Sequence, residues 1–183
     1  MKEMDKLDND ILIIQRAQMG DRAAYKSLYD THAPKLFRFL RQFSRDVDEV
    51  DEWVQRSFIK AFDFLPRLTG SVRFSAWLIK IGVNEMKKDR RRAKIISFIP
   101  LEEEHHKADN NEIEHFDWNE MMFSWLEKLD NNKRMVFSLY EVEGYSHAEI
   151  AEILGIGEST SRTILTRTKQ YLKERWNKEV KNL

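Results

Sequence analysis

Apolar positions recur along this chain at intervals of three and four residues, as Phe74, Leu78 and Ile81 do. They do not alternate over any run long enough for a strand. A period close to 3.6 predicts an all-α protein, with helices over about 8 to 18, 21 to 44 with a break near Pro34, 46 to 65, 74 to 92, 118 to 129, 131 to 143, 147 to 154 and 158 to 177. Gly20, Asp46, Pro66, Gly70, Gly144 and Gly155 punctuate this pattern, and Asp21, Ser71, Asp130 and Ser146 stand where caps are needed. Between about 93 and 116 the periodicity fails: the stretch holds Pro100, EEEHH and DNNE with no regular apolar face. It reads as a flexible linker at 93–116 between small helical domains at 8–92 and 117–178.

Composition narrows the class. With 183 residues, 42% apolar and 34% charged, the chain suits one modest domain or two small ones. No apolar run approaches the roughly 20 residues that span a bilayer, and MKEMDKLDND lacks the apolar core of a secretory signal. The expectation is a cytoplasmic protein with no membrane insertion. Zero cysteines exclude disulfides, thiolate zinc sites and cysteine nucleophiles, so stability must come from apolar burial.

The formal net charge is zero, but its distribution is uneven. Residues 1 to 92 carry 19 basic against 14 acidic groups, residues 93 to 117 carry 2 against 7, and residues 118 to 183 carry 10 against 10. The linker is therefore acidic. Within the last segment, residues 118 to 160 have 3 basic against 8 acidic groups and residues 161 to 183 have 7 against 2. That basic end coincides with the second helix of the stretch SHAEIAEILGIGESTSRTILTRTKQYL, residues 146 to 172.

This stretch has helix-turn-helix register: a small residue at the crossing, Ala151, a turn glycine, Gly155, and an apolar residue after it, Ile156. Ile150, Leu154, Ile164, Leu165 and Leu172 supply buried faces, whereas Arg162, Arg167 and Lys169 fall on the exposed side. Ser159, Thr160 and Thr163 are phosphate or base-edge donors near the start of the second helix. Ser161 occupies a position that is usually apolar, and Glu158 sits close enough to Arg162 to form a local ion pair. Taken alone, the motif fits a plain helical hairpin, an autonomous repressor or half of a larger DNA reader.

The residues before it resolve that choice by resemblance. Leu129-Asp130, Arg134-Met135-Val136-Phe137 and Glu143-Gly144-Tyr145-Ser146, followed by the helix-turn-helix, resemble region 4 of the extracytoplasmic-function sigma factors of bacterial RNA polymerase. Gly20-Asp21, Val54-Gln55 with Phe58, and Trp77-Leu78 with Ile81 and Asn84 are similar in order and spacing to region 2 of that family. The two resemblances cover about residues 19 to 177. They imply a sigma factor that binds core polymerase, directs it to specific promoters and helps open the DNA. The implied partners are the β′ clamp and β flap of core RNA polymerase, promoter DNA and, as a candidate, an anti-sigma factor.

Each functional patch also has a physical reading. Asp46, Asp48, Glu49, Asp51 and Glu52 crowd the start of one helix, where the positive dipole end tolerates acids and a dense acidic patch can steer docking onto a basic surface. The resemblance turns this helix toward the polymerase clamp, with Asp48, Glu49, Asp51, Glu52 and Gln55 as contacts and Arg56 where the family usually carries an acid. Lys80, Asn84, Lys87, Lys88 and Arg91 share one side of the next helix, and residues 80 to 94 hold 7 basic against 2 acidic groups, which suits phosphate neutralisation. Trp77 reads as core. The loop PRLTGSVR, residues 66 to 73, is the place where the family receives a flipped base of the downstream promoter box; Leu68, in place of a common aromatic, and Thr69 are the candidate contacts.

Catalysis finds no support: there is no glycine-rich phosphate loop and no set of nucleophile, base and orienting group. Glu102 to Glu104, His105, His106 and His115 lie in the linker without the spacing of a helical ligand pair, so no metal and no cofactor is expected. The alternative from another class is an autonomous helix-turn-helix repressor whose first domain senses a ligand or dimerises. An RNA-processing enzyme on a helical platform lacks catalytic residues.

Overall fold

A computed structural model of the chain describes residues 2–68, 73–96, 124–126 and 128–180. The described residues form helices and turns and contain no strand. The first half consists of α1 (Lys2–Gln18), α2 (Arg22–Arg41), α3 (Val47–Phe64), a 3-10 turn (Leu65–Arg67) and α4 (Phe74–Ile96). The second consists of α5 (Asn131–Phe137), widening into a π turn over Ser138–Val142, then α6 (His147–Leu154) and α7 (Glu158–Val180).

The capping signals act as the sequence suggests. Asp21 accepts from the amides of Ala23 and Ala24, Asp46 from those of Asp48 and Glu49, and Asp130 from that of Lys133. Ser146 and Glu149 cap each other reciprocally at the start of α6, satisfying two otherwise orphaned donors. Ser71 and Gly70 lie outside the described residues.

Several boundaries differ from the expectation. α2 runs through Pro34 without the break expected there. An interior proline costs a helix about 3 kcal/mol, but α2 buries Ala24, Leu28 and His32 before it and Leu36, Phe39 and Leu40 after it against one core, so tertiary packing overrides the local penalty. α1 starts at Lys2 rather than near 8, and α4 continues to Ile96 rather than ending near 92. Neither extension contains a glycine or proline to stop it.

In the first half, α4 crosses α2 at Gly82, where an added Cβ would lie 2.9 Å from Leu36 Cδ1. Around that crossing Leu28, Leu36, Phe39, Leu40, Val50, Trp53, Phe74, Leu78, Val83 and Met86 are buried. Trp53 is fully buried, yet its indole Nε1 must donate to an acceptor, and it reaches Asp89 Oδ2 on α4 at 3.0 Å. Arg56 grips the same carboxylate, with Nη1 3.2 Å from Oδ1 and Nη2 against Oδ2. One α3 turn on, Lys60 pairs with the buried Glu85 of α4.

In the second half, α5, α6 and α7 bury Val136, Leu139, Ile150, Ile153, Leu154 and Leu165, and Gly155 makes the turn at φ +69°, the left-handed region that glycine enters without strain. Trp125, Leu126 and Leu129 pack with Leu172 of α7 in a separate small cluster. The two halves are not apart: the core of α1 to α4 continues without interruption into Met135, Val136, Leu139, Tyr145 and Ile150.

Candidate nucleic-acid interface

Leu65, Pro66 and Arg67 end α3 in a tight turn, and Gln18 at the end of α1 ties that turn down by donating from Nε2 to the carbonyls of Leu65 and Leu68 at 3.0 and 2.9 Å. The far side of the same loop is Arg73, whose carbonyl accepts the first amides of α4, from Ala76 and Trp77. Between the ends of α3 and α4 opens a recess of about 430 Å³, walled by Phe64, Leu68, Trp77 and Ile81 and rimmed by Lys60, Arg67, Lys80, Asn84 and Glu85. Its apolar walls can stack an unpaired planar base, while its rim offers donors and positive charge; that combination favours single-stranded nucleic acid.

Of the residues expected to touch DNA here, Leu68, Lys80 and Asn84 line the recess. Lys87, Lys88 and Arg91 continue the same α4 stripe away from it; Lys88 and Arg91 are exposed and Lys87 is half-buried. Burial, with the adjacent Arg91 charge, lowers the Lys87 pKa from its ordinary value. Thr69 lies outside the described residues. Trp77, expected in the core, is half-buried: it packs edge-on to Phe74 at 5.8 Å and shows its other side to the recess. Phe64, Lys60, Arg67 and Glu85 line the recess and Gln18 ties down the turn beside it; sequence reasoning missed all five. The 55% exposure of Phe64, an aromatic at a helix end, is the signal that only coordinates supply.

The acidic patch at the start of α3 stands out into solvent. Asp48, Asp51, Glu52 and Gln55 are exposed and Glu49 is partly covered. Arg56 is shared between two carboxylates: Asp89 raises its pKa by hydrogen bonding and holds its guanidinium against α4, while its Nη2 also lies 3.8 Å from Glu52 of the patch.

On α7, Ser159, Thr160, Arg162, Thr163, Arg167 and Lys169 are all exposed on one long face. Arg162 pairs with Glu158 one turn back, and Lys169 Nζ lies 2.8 Å from Glu141 of the π turn, which raises the Lys169 pKa. Thr163 donates to the Ser159 carbonyl at 3.0 Å, leaving its oxygen lone pairs outward. Ser161, polar where an apolar residue is usual, is completely buried with its hydroxyl 2.9 Å from His147 Nδ1. Burial, then the charge of Arg162 against that of Glu158, lowers the His147 pKa, so a neutral ring is available to share this bond. His147 in turn stacks on Tyr140 at 4.6 Å. Tyr140, His147 and Ser161 thus link the π turn, α6 and α7 where an apolar plug is usual.

Arg162→Ala tests the groove-facing assignment. If Arg162 leaves Glu158 to reach a base edge, the variant should lose about 1 to 3 kcal/mol at the preferred upstream sequence and relax preference at one position. Lys173→Ala, at an exposed site further along α7, should weaken all sequences alike and lower the salt slope by about one. Identical sequence profiles for Arg162→Ala and the parent, measured on single-base variants, would remove Arg162 from base reading.

Comparison with known proteins bears on the same two surfaces. The profile described as Sigma-70 region 2 matches residues 28–95, which span the acidic patch, the recess and the α4 stripe. That described as Sigma-70, region 4 matches residues 124–172, which contain α5, α6 and most of α7. The ECF RNA polymerase sigma-E factor of Salmonella typhimurium is 28% identical over 176 residues, covering 88% of this chain and 91% of the relative. The chain belongs to the extracytoplasmic-function group of the sigma-70 family.

Other sigma factors agree over nearly the whole length. The ECF RNA polymerase sigma-E factors of Haemophilus influenzae and Escherichia coli K12 are 25% and 27% identical, covering 91% and 88% of this chain and 94% and 91% of theirs. Among solved structures, CnrH in complex with the cytosolic domain of CnrY superposes with a TM-score of 0.68 at 25% identity, over 92% of this chain and 97% of that one. The sigma factor RpoE from Bartonella quintana, solved in complex with the anti-sigma factor NepR, has the same fold at a TM-score of 0.62 and 23% identity, over 82% and 94% of the two chains.

Proposed function

We propose that this sigma factor divides its work between the two surfaces described above: it docks core RNA polymerase through the acidic start of α3, opens the downstream promoter box at the α3–α4 recess, and reads the upstream box with α7. The single observation that carries the reading is that the region 2 and region 4 matches occur in that order on two separately built surfaces, one with a base-sized recess beside a basic stripe and one with an exposed polar helix face. Residues 8–92 act as the polymerase and downstream-box module, 93–116 as the linker and 117–178 as the upstream-box module. Asp48, Glu49, Asp51, Glu52 and Gln55 meet the β′ clamp, and the β flap carries the second module. Leu68, Thr69, Lys80, Asn84, Lys87, Lys88 and Arg91 meet the opened strand, and Ser159, Thr160, Arg162, Thr163, Arg167 and Lys169 meet the upstream duplex.

The protein acts as a transcription initiation factor, not as an enzyme, in the cytoplasm where polymerase works; no helix among the described residues is long and apolar enough to cross a membrane. An anti-sigma factor is a further partner. Two weak readers linked on one polymerase gain through effective concentration, so neither needs a strongly basic surface.

The test is transcription from genomic promoter fragments by purified core polymerase. Promoter-specific transcripts should appear only when this protein is added. Asp48→Lys with Asp51→Lys should slow association with core by roughly tenfold at low salt and lose that difference as salt rises. Tight operator binding without polymerase, and no transcripts with it, would make the chain an autonomous repressor instead.

A further inference from the structure

One residue of the α3–α4 recess is neither an apolar wall nor an exposed rim group. Glu85 is buried, with 4% of its side chain exposed, whereas Lys60 is half-exposed and Arg67, Lys80 and Asn84 stand out in solvent. It is the deepest polar group that lines the recess. Its place follows from the helical period: Trp77, Ile81 and Glu85 are four apart on α4, so the face that lays an indole and an isoleucine along the wall sets a carboxylate beside them. Among the described residues its ion-pair partner is Lys60 of α3, whose Nζ meets Oε1 from the more open side.

Holding α3 against α4 does not call for this pair. Taking a charge out of water costs much of what a single partner returns, and an apolar pair of similar volume packs as well or better. One α3 turn earlier, Trp53 and Arg56 already join the two helices at Asp89. A carboxylate has two oxygens with about four acceptor positions, and Lys60 takes one of them. The ammonium of Lys60 likewise has three donors, of which Glu85 uses one. Acceptor capacity is thus sunk in the wall of an open recess, with donor capacity just above it.

The four bases differ in the group that an edge-on entry carries deepest. Cytosine presents the N4 amino group and adenine the N6 amino group, both donors, where thymine presents O4 and guanine O6, both acceptors. An amino group can donate to Glu85 while the ring nitrogen next to it accepts from Lys60. An oxo group in the same place sets its lone pairs against a buried carboxylate. To pair thymine or guanine, Lys60 would have to lie deeper than Glu85, the reverse of the order given by side-chain exposures of 44% and 4%.

We propose that Glu85, with Lys60 above it, determines which base the recess accepts: one with an amino group at pyrimidine C4 or purine C6, cytosine or adenine, in preference to thymine or guanine. The inference deepens the sigma-factor reading and rests on its assignment of the recess to an unpaired promoter base.

The test uses the free full-length protein and single-stranded pentanucleotides that carry thymine at four positions and a chosen base at the centre. Binding is followed at the indole N–H resonance of Trp77 in the recess wall, identified by its loss in Trp77→Phe. A central cytosine or adenine should bind about tenfold tighter than a central thymine or guanine, and the better of the two shows whether the recess prefers a pyrimidine or a purine. Pyrimidin-2-one in place of cytosine, or purine in place of adenine, lacks only the amino group and should fall to the thymine level. That comparison needs no protein variant, so it decides the matter even if Glu85→Gln fails to fold.

Glu85→Gln offers an amide that both donates and accepts, and it should bring the cytosine, adenine and thymine pentamers within about twofold of one another. Asp63→Asn, an equal change of charge at an exposed α3 site outside the recess, should keep the parent's preference. Equal binding of cytosine and pyrimidin-2-one pentamers, and of adenine and purine pentamers, with Trp77 shifting throughout, would overturn the role of Glu85 and leave the recess as a base site. A Trp77 resonance unmoved by every pentamer would instead remove the recess from strand binding, and this inference with it. Promoter-specific transcription is read in a separate assay, so failure of the sigma-factor reading is distinguishable from either result.

Discussion

Shortening the segment between Leu68 and Arg73 by two residues should abolish strand opening while leaving polymerase binding intact. Its two ends are fixed: Gln18 holds the Leu65 and Leu68 carbonyls, and Arg73 begins α4. The recess between those ends supplies the apolar walls of Phe64, Leu68, Trp77 and Ile81. Extracting a base from its stack costs a few kcal/mol, and without a formed pocket nothing offsets that cost. A loss of ~3 kcal/mol corresponds to about a hundredfold fall in the open population. Permanganate reactivity of unpaired thymines measures it. The acidic patch on α3 is untouched by the deletion, so core binding should be within twofold of the parent. Gln18→Leu, which removes both carbonyl bonds without altering loop length, should give a partial version of the same defect. Normal thymine reactivity in the shortened variant would show that the loop is not where the strand is held open.

The largest stability effect should come from Asp89→Ala. This carboxylate accepts from the buried Trp53 indole at 3.0 Å and from both terminal nitrogens of Arg56. Deleting it strands a buried N–H and a partly buried guanidinium at once, which costs about 2 to 4 kcal/mol, read as a shift of the denaturation midpoint. Asp89→Asn retains one acceptor oxygen and should lose about half as much.

The pH dependence follows the same network. Burial tends to raise the Asp89 pKa, but hydrogen bonds from Arg56 and Trp53 and the charges of Arg56 and Arg92 outweigh it, so the folded value lies below the ordinary one. A depressed folded pKa contributes stability that is present above the unfolded carboxylate value, near pH 4, and is lost as pH falls through the folded value. The parent should therefore lose stability on acidification through this range more steeply than Asp89→Asn. Parallel acid profiles for the two proteins would show that Asp89 contributes nothing to the acid limb.

How much of this was legible before the coordinates depends on the distance over which each signal acts. The helix-turn-helix register around Ala151, Gly155 and Ile156 and the caps at Asp21, Asp130 and Ser146 all rest on residues three or four apart, and they stand in the structure where the sequence puts them. The exposed faces were equally legible: Asp48, Asp51, Glu52 and Gln55 on α3, and Arg162 and Arg167 on α7, follow from the helical period once the apolar stripe is known. The Glu158 and Arg162 pair, at spacing four, was also readable from sequence.

Pro34 marks the limit of that reasoning. Its local rule asks for a break, and the rule loses because side chains on both flanks reach one core.

What the sequence by itself determined, then, is the helical period, the caps, the charge layout and the two motifs that place the chain among the sigma factors. Tertiary structure alone decided the partners of residues far apart in the chain. Arg56 looks like a charge belonging to the acidic patch alone until Asp89, 33 positions away, draws its guanidinium onto α4 as well. Ser161 looks like a defect in a buried position until His147, 14 positions earlier, satisfies its hydroxyl. Arg73 and Glu149 are 76 positions apart, and Gln42 and Ser138 are 96 apart. Local signals survive in sequence because helical geometry fixes the spacing of near neighbours. A pair brought together across a core has no such spacing, since its separation is set by how the helices pack, and any buried polar group then takes whichever partner the packing puts within hydrogen-bond reach.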